Sequence, residues 1–129
     1  MTILIVCLIG AALLPYLAKI PVAIAMHQAG GYDNHHPREQ QARLKGWGAR
    51  AMAAHQNAFE SLLIFAIAIL LAVSTSTVHD TVQLLAMTHI GLRVVYHILY
   101  LLNIGVWRSV AWAIAIGCSF AIMGLCLDY

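Results

Sequence analysis

At 129 residues, 62% hydrophobic and 9% charged, with a mean hydropathy of +0.83, the chain is far from a soluble domain, where about a quarter of residues are charged. A formal charge of +2 rests on seven basic residues, too few for a nucleic-acid footprint, which needs a whole face of phosphate-contacting Lys and Arg. The composition implies an integral membrane protein, all-α, with one domain covering 1–129.

The amino end, MTILIVCLIGAALL, has no basic n-region, and its first lysine, Lys19, follows the apolar stretch. It therefore reads as a first span over 2–28 rather than a cleaved signal peptide. That length covers a hydrocarbon core of about 30 Å at 1.5 Å per residue. Pro15 and Pro21 are expected to bend or locally break it. Lys19 lies late in the span, where it can snorkel toward the next loop; a transport role for it is the alternative. Cys7, Cys118 and Cys126 all sit in apolar runs. Their odd number argues against a disulfide framework, and each reads as a small packed hydrophobe.

Residues 29–46, AGGYDNHHPREQQARLKG, form the one extended polar stretch and read as a loop punctuated by Gly30-Gly31 and Pro37. Asp33, His35 and His36 suggest a metal cluster only superficially, because adjacent histidines match no usual ligand spacing. No metal site is expected there or on any helix. A second span covers 47–73, its first turns standing out of the bilayer and its run from Ser61 uniformly apolar. STSTVHD over 74–80 is a short turn. The third span covers 81–102, a link around Asn103–Ser109 carries Arg108, and the fourth covers 110–127 and ends at Asp128-Tyr129. No internal repeat is apparent. Four of the basic residues lie between Arg38 and Arg50, Arg108 lies in the third connection, and the second has none. By the positive-inside rule both basic connections face the cytoplasm and the termini face away from it.

Polar groups enter the spans in two places. In RAMAAHQNAFE, on a helix advancing about 100° per residue, Asn57 lies about 20° from Arg50 and Glu60 about 80° on the same side. His55 points about 140° the other way. Relative to Arg93 in THIGLRVVYHILYLLN, His89 and His97 lie about 40° away, Tyr96 about 60° and Tyr100 about 20°. An interfacial belt accounts for Tyr100 but not for Arg93, which is too deep and needs a carboxylate, a water cavity or an anionic ligand. Glu60 is its natural partner, either as a structural pair or within a ligand pocket. The pocket so described is net positive, with Arg50, Asn57 and Glu60 on one helix, Arg93, Tyr96 and Tyr100 on the next, and Arg108 nearby. It suits an anionic, partly apolar ligand. No nucleotide-binding glycine loop, Ser-His-Asp set or zinc signature is present, so the residues offer no obvious protein nucleophile, which leaves open a reacting group on the ligand.

The pattern R-x4-H-Q-N-x2-E from Arg50 to Glu60, followed by an apolar run, resembles the membrane-associated proteins in eicosanoid and glutathione metabolism (MAPEG), the family of the microsomal glutathione transferases. R-x2-Y-x3-Y at Arg93, Tyr96 and Tyr100 and the Arg108-Ser109 pair support it, and size and layout agree along the whole chain. The loop wording NHHPREQQARLKGW looks like the family's bacterial branch. The resemblance implies a four-helix bundle assembled as a homotrimer of twelve transmembrane helices in a bacterial inner membrane. It also implies glutathione as co-substrate between neighbouring subunits at the cytoplasmic side. Carried over, Arg50, Asn57 and Glu60 would hold the peptide's charged ends and backbone, Arg93, Tyr96 and Tyr100 the pocket wall, and Arg108 and Ser109 the sulfur. The activity implied is a transferase or peroxidase acting on a lipophilic electrophile or hydroperoxide. At Ala53 the chain departs from many animal members, which carry an arginine; His55 would be a packing or subunit-interface residue. The alternatives are a non-catalytic lipid- or thiol-peptide-binding protein of the same fold and, less favoured, a small transporter. Small exporters carry their key carboxylate in a first helix, and the first helix here has none.

Overall fold

The computed structural model describes residues 1–127, so Asp128 and Tyr129, the expected end of the last span, lie outside the described residues. Five helices follow one another: α1 (Thr2–Gln28), α2 (Pro37–Ala42), α3 (Trp47–Ser74), α4 (Asp80–Leu101) and α5 (Gly105–Leu125). All but α2 are long and apolar enough to cross a membrane. No strand occurs among the described residues.

The helices run up and down, with α1 packed most extensively on α3 and α4 on α5. The buried positions explain the pairing, because many are alanine: Ala18 and Ala25 on α1, Ala51, Ala54 and Ala58 on α3, Ala111 and Ala115 on α5. Lipid tails remove the hydrophobic drive between helices, so close backbone approach carries the association, and small residues permit it. Gly48 permits one such close approach, since a Cβ there would lie 3.0 Å from that of Ala25. Of the bend or local break expected at Pro15 and Pro21, the break does not occur: α1 runs as one helix through both. α1 packs along α3, where neighbouring helices help tolerate proline, and the His55 ring Nδ1 donates to the Pro15 carbonyl at 2.8 Å.

The two ends differ. Away from the loop, Leu4, Phe65, Ile69, Val82 and Ile122 form an apolar core with Cys7 and Cys126. At the loop end only Val22, Met26 and Ala51 cluster. All three cysteines are buried and unpaired.

Two helix ends use a left-handed residue that is not glycine. Ser76 and Asn103 both have φ 60. In each case the next N–H closes back five residues, Thr77 to the Ala72 carbonyl at 2.8 Å and Ile104 to that of Leu99 at 2.9 Å. This is the Schellman arrangement, which satisfies carbonyls left over at a helix C-terminus. It makes the second turn so tight that α5 starts at Gly105 rather than near 110. Arg108, expected in a link, therefore stands in the first turn of α5, and Ser109 directly after it.

The polar loop is also more structured than a solvated connection. Pro37 opens α2, its ring suited to a first helical position. Gln40 then clamps the loop: its Nε2 donates to the carbonyls of Gly31 at 2.7 Å and Met26 at 3.2 Å, and its Oε1 accepts the Asp33 N–H at 2.8 Å. The Asp33 carboxylate accepts the backbone N–H groups of His35 and His36. The His36 bond, helped by that of His35, holds its carboxyl below the ordinary carboxylate range. The residues that looked like metal ligands thus build a turn, and no metal-binding group of three occurs among the described residues.

Candidate functional site

Asn57 is the centre of the polar constellation. Its side-chain oxygen accepts a hydrogen bond from Arg93 Nη2 at 2.7 Å, and its amide nitrogen donates to Glu60 Oε2 at 3.0 Å. A guanidinium can only donate and a carboxylate can only accept, so the amide orientation is forced. The direct Arg93–Glu60 contact offered as one reading of the sequence is not formed. The ion pairs among the described residues are His36–Asp33 and Arg43–Glu39, both in the loop. The carboxylate is instead coupled to the guanidinium through the amide.

Arg93 is only 2% exposed, so its charge is expensive unless well partnered. Besides Asn57 it has the face of Tyr96, with the guanidinium carbon 4.1 Å from the ring centroid. One helical turn on, Tyr100 meets Tyr96 edge-to-face at 5.6 Å and carries the Arg108 guanidinium 4.3 Å above its own ring. Two arginines thus lie on two tyrosines that meet edge-to-face, a favourable cation–π arrangement.

These groups line two cavities that meet at Asn57 and Trp112. The inner, about 120 Å³, is bounded by Glu60, Ser61, His89, Arg93 and Ser119. The outer, about 180 Å³, is bounded by Tyr96, Tyr100, Arg108 and Ser109. Of the eight residues singled out in the sequence, seven line one cavity or the other. Arg50 lines neither: its Nη2 donates to the Leu101 carbonyl at 3.4 Å, and its Nε is buried without a partner. It shares the azimuth of Asn57 but stands about 10 Å above it along the helix, level with the end of α4. Ser109 lines the outer cavity, yet its hydroxyl donates to the Gly105 carbonyl at 3.1 Å, so its proton is engaged within the helix.

The site also uses residues that sequence reasoning did not single out. Ser61 and Ser119 flank His89, a member of the polar arc whose role was open. The His89 Nδ1 donates to the Ala115 carbonyl at 2.8 Å and lies 3.2 Å from Ser119 Oγ; its Nε2 is 3.4 Å from Ser61 Oγ. Its ring stacks on Phe65 at 4.1 Å, with an interplanar angle of 7°. One imidazole thus ties α3, α4 and α5 together one turn below Arg93. Trp112 was findable, lying four residues after Arg108 and hence on the same helix face. The arc on α4 divides: His97 turns away from the cavities toward a groove lined by α1 and Ala54, its Nδ1 donating to the Arg93 carbonyl at 2.7 Å.

Chemically the arrangement offers two guanidinium groups, one carboxylate, one bridging amide and two phenols around a narrow opening, beside an exposed tryptophan. It can hold an anion carrying a second, cationic group. A model of the MAPEG family matches residues 3–128. No curated protein and no solved structure matches the chain.

Proposed function

Because this chain belongs to the MAPEG family, we propose that it is a glutathione-dependent transferase or peroxidase acting on a lipophilic electrophile or hydroperoxide. It is an integral membrane protein, with four apolar helices and nearly its whole length inside the family's match. The observation that carries the reading is the Arg93–Asn57–Glu60 relay at the junction of two cavities.

Glutathione bears two carboxylates, one ammonium and one thiol. Arg93 complements a carboxylate, and Glu60 complements the ammonium. Tyr96 and Tyr100 fix both guanidinium planes before anything binds, which reduces the ordering needed. A free thiol titrates near 8.5, so only a few per cent is thiolate at neutral pH. A guanidinium beside the sulfur favours the anion, and each unit of lowering is worth about 1.4 kcal/mol. Arg108, on the first turn of α5, is the group for this task. When bound, the thiol would supply the nucleophile toward an electrophile, or the reductant toward a hydroperoxide.

Size argues that one chain holds only part of the site. The two cavities, about 120 and 180 Å³, are small beside the roughly 300–1,000 Å³ typical of ligand sites. A homotrimer with glutathione between neighbouring subunits supplies the missing wall, and we include it in the proposal. With the basic loop on the cytoplasmic side, the outer cavity opens toward the compartment where glutathione is abundant. The second reading, a non-catalytic binder, is favoured by the engaged Ser109 hydroxyl; it predicts binding with no fall in the thiol's pKa.

The test is a thermal-stability titration of the purified protein with glutathione and its S-hexyl analogue. A ligand at a hundredfold excess over Kd stabilises the folded state by about 2.7 kcal/mol. A saturable shift that disappears in Glu60→Ala supports the reading; no shift at millimolar concentrations of either compound overturns it.

A further inference from the structure

On a different face of α3 from the Asn57 cavities, a further and larger cavity of about 420 Å³ opens between α1, α2 and α3. Its lining includes Lys19 and Arg38, with Tyr32, Gln56 and Phe59, and no carboxylate. Neither cation forms an ion pair among the described residues. Two like charges in one cleft without an acid repel, and an anion between them converts that cost into attraction.

Depth and surroundings indicate which anion. Counted from Thr2 at 1.5 Å per residue, Lys19 lies about 25 Å along α1, so in a core of about 30 Å its ammonium reaches the headgroup level on the loop side. Arg38, on α2, bounds the same cleft from above. Below it the surface is apolar and open: Tyr16, edge-to-face with Phe59 at 6.0 Å, leads on to Leu63, Ile67 and Leu70, all exposed along α3. A soluble anion would use the cations alone. A lipid would use both parts, its headgroup between Lys19 and Arg38 and its acyl chains along the α1–α3 strip. We propose that this cleft is a binding site for an anionic phospholipid, with Lys19 and Arg38 as its phosphate ligands. The site is distinct from the Asn57 cavities and requires nothing of the thiol chemistry.

The experiment titrates the full-length protein in neutral detergent with dioctanoyl phosphatidylglycerol, dioctanoyl phosphatidylcholine and glycerol phosphate, reading thermal stability and bound lipid by native mass spectrometry. Phosphatidylglycerol should bind saturably, one per chain; the other two should not bind. Each cation near the surface contributes roughly a five-fold factor, so Lys19→Gln with Arg38→Gln should weaken binding roughly 25-fold. Arg43→Gln, which removes an equal charge from the same loop but lies outside the cleft, should leave it unchanged. Should the double variant fold poorly, Arg38→Gln alone, on the exposed loop helix, must show the five-fold loss. Equal binding of phosphatidylcholine would reduce the site to its apolar strip, and equal binding of glycerol phosphate would make it a soluble-anion site; either overturns the proposal. So do a double variant that binds as the parent does, and an Arg43→Gln loss as large as the Arg38→Gln loss. A change of oligomer mass in the variants without lipid binding would assign the cleft to a second copy instead, and overturns it too.

Discussion

The two ends of the bundle are built on opposite principles. Away from the loop, contact is between apolar side chains such as Ile69, Val82 and Ile122, which need only fit. Toward the loop the same helices meet through an amide bridging a guanidinium and a carboxylate, and midway an imidazole shared by three helices rests on Phe65 of that core. Apolar packing tolerates approximate shapes, whereas a buried polar network is costly when half satisfied. The first end therefore holds the fold and the second holds a conformation. If so, substitutions should separate stability from binding according to the end they touch.

The largest separation is expected at Asn57. Asn57→Ala leaves Arg93 without its hydrogen-bonded partner and frees Glu60, and glutathione affinity should fall by about 100-fold, or roughly 2.7 kcal/mol. The assembly should run unchanged on size exclusion. A variant that binds as the parent does would remove Asn57 from the site.

Ile69→Ala tests the other end. In lipid the unfolded side chain is not returned to water, so mainly the cavity part of the usual penalty remains, about 1–3 kcal/mol. That loss should show in thermal or denaturant stability with ligand affinity unaltered. A comparable loss of affinity would mean that the two ends are not separable.

Arg108→Gln should divide the polar end itself. Binding should change little, while turnover on a model electrophile falls about tenfold, the equivalent of one pKa unit on the bound thiol. The sign is definite: removing the guanidinium raises that pKa, so the rate profile should move to higher pH and the deficit shrink in alkali. Equal losses of binding and turnover would recast Arg108 as an anchor.

The smallest effect distinguishes the two tight turns. Ser76→Gly at the non-loop end should stabilise by about 0.5–1 kcal/mol, because serine pays for a left-handed backbone that glycine adopts freely. Asn103→Gly should give less, since asparagine tolerates that region. Equal gains would show that residue type is immaterial at these turns.

Much of this was legible from residue order. The spans at 2–28, 47–73 and 81–102 agree with helix bounds within a residue, because a long apolar run has one solution in a bilayer. The start of α5 was not, since it depends on Asn103 taking a left-handed conformation that its neighbours do not announce. The shared face of Asn57 and Glu60 followed from angular spacing. Azimuth alone grouped Arg50 with them; the rise of seven residues already sets it about 10 Å higher, and the structure showed that its Nη2 turns to the Leu101 carbonyl instead.

The sequence by itself determined that the chain spans a membrane four times, where its basic loop lies, and which side chains are too polar for their depth. These follow from transfer free energies and helical periodicity, which are properties of a segment alone. Only the tertiary structure decided that Asn57 rather than Glu60 contacts Arg93, that His89 ties three helices with Ser61 and Ser119, and that Lys19 and Arg38 share one cleft. Those pairings join residues between 28 and 36 positions apart for the hydrogen bonds. They depend on the relative height and rotation of packed helices, which alanine-lined contacts set and no single segment encodes.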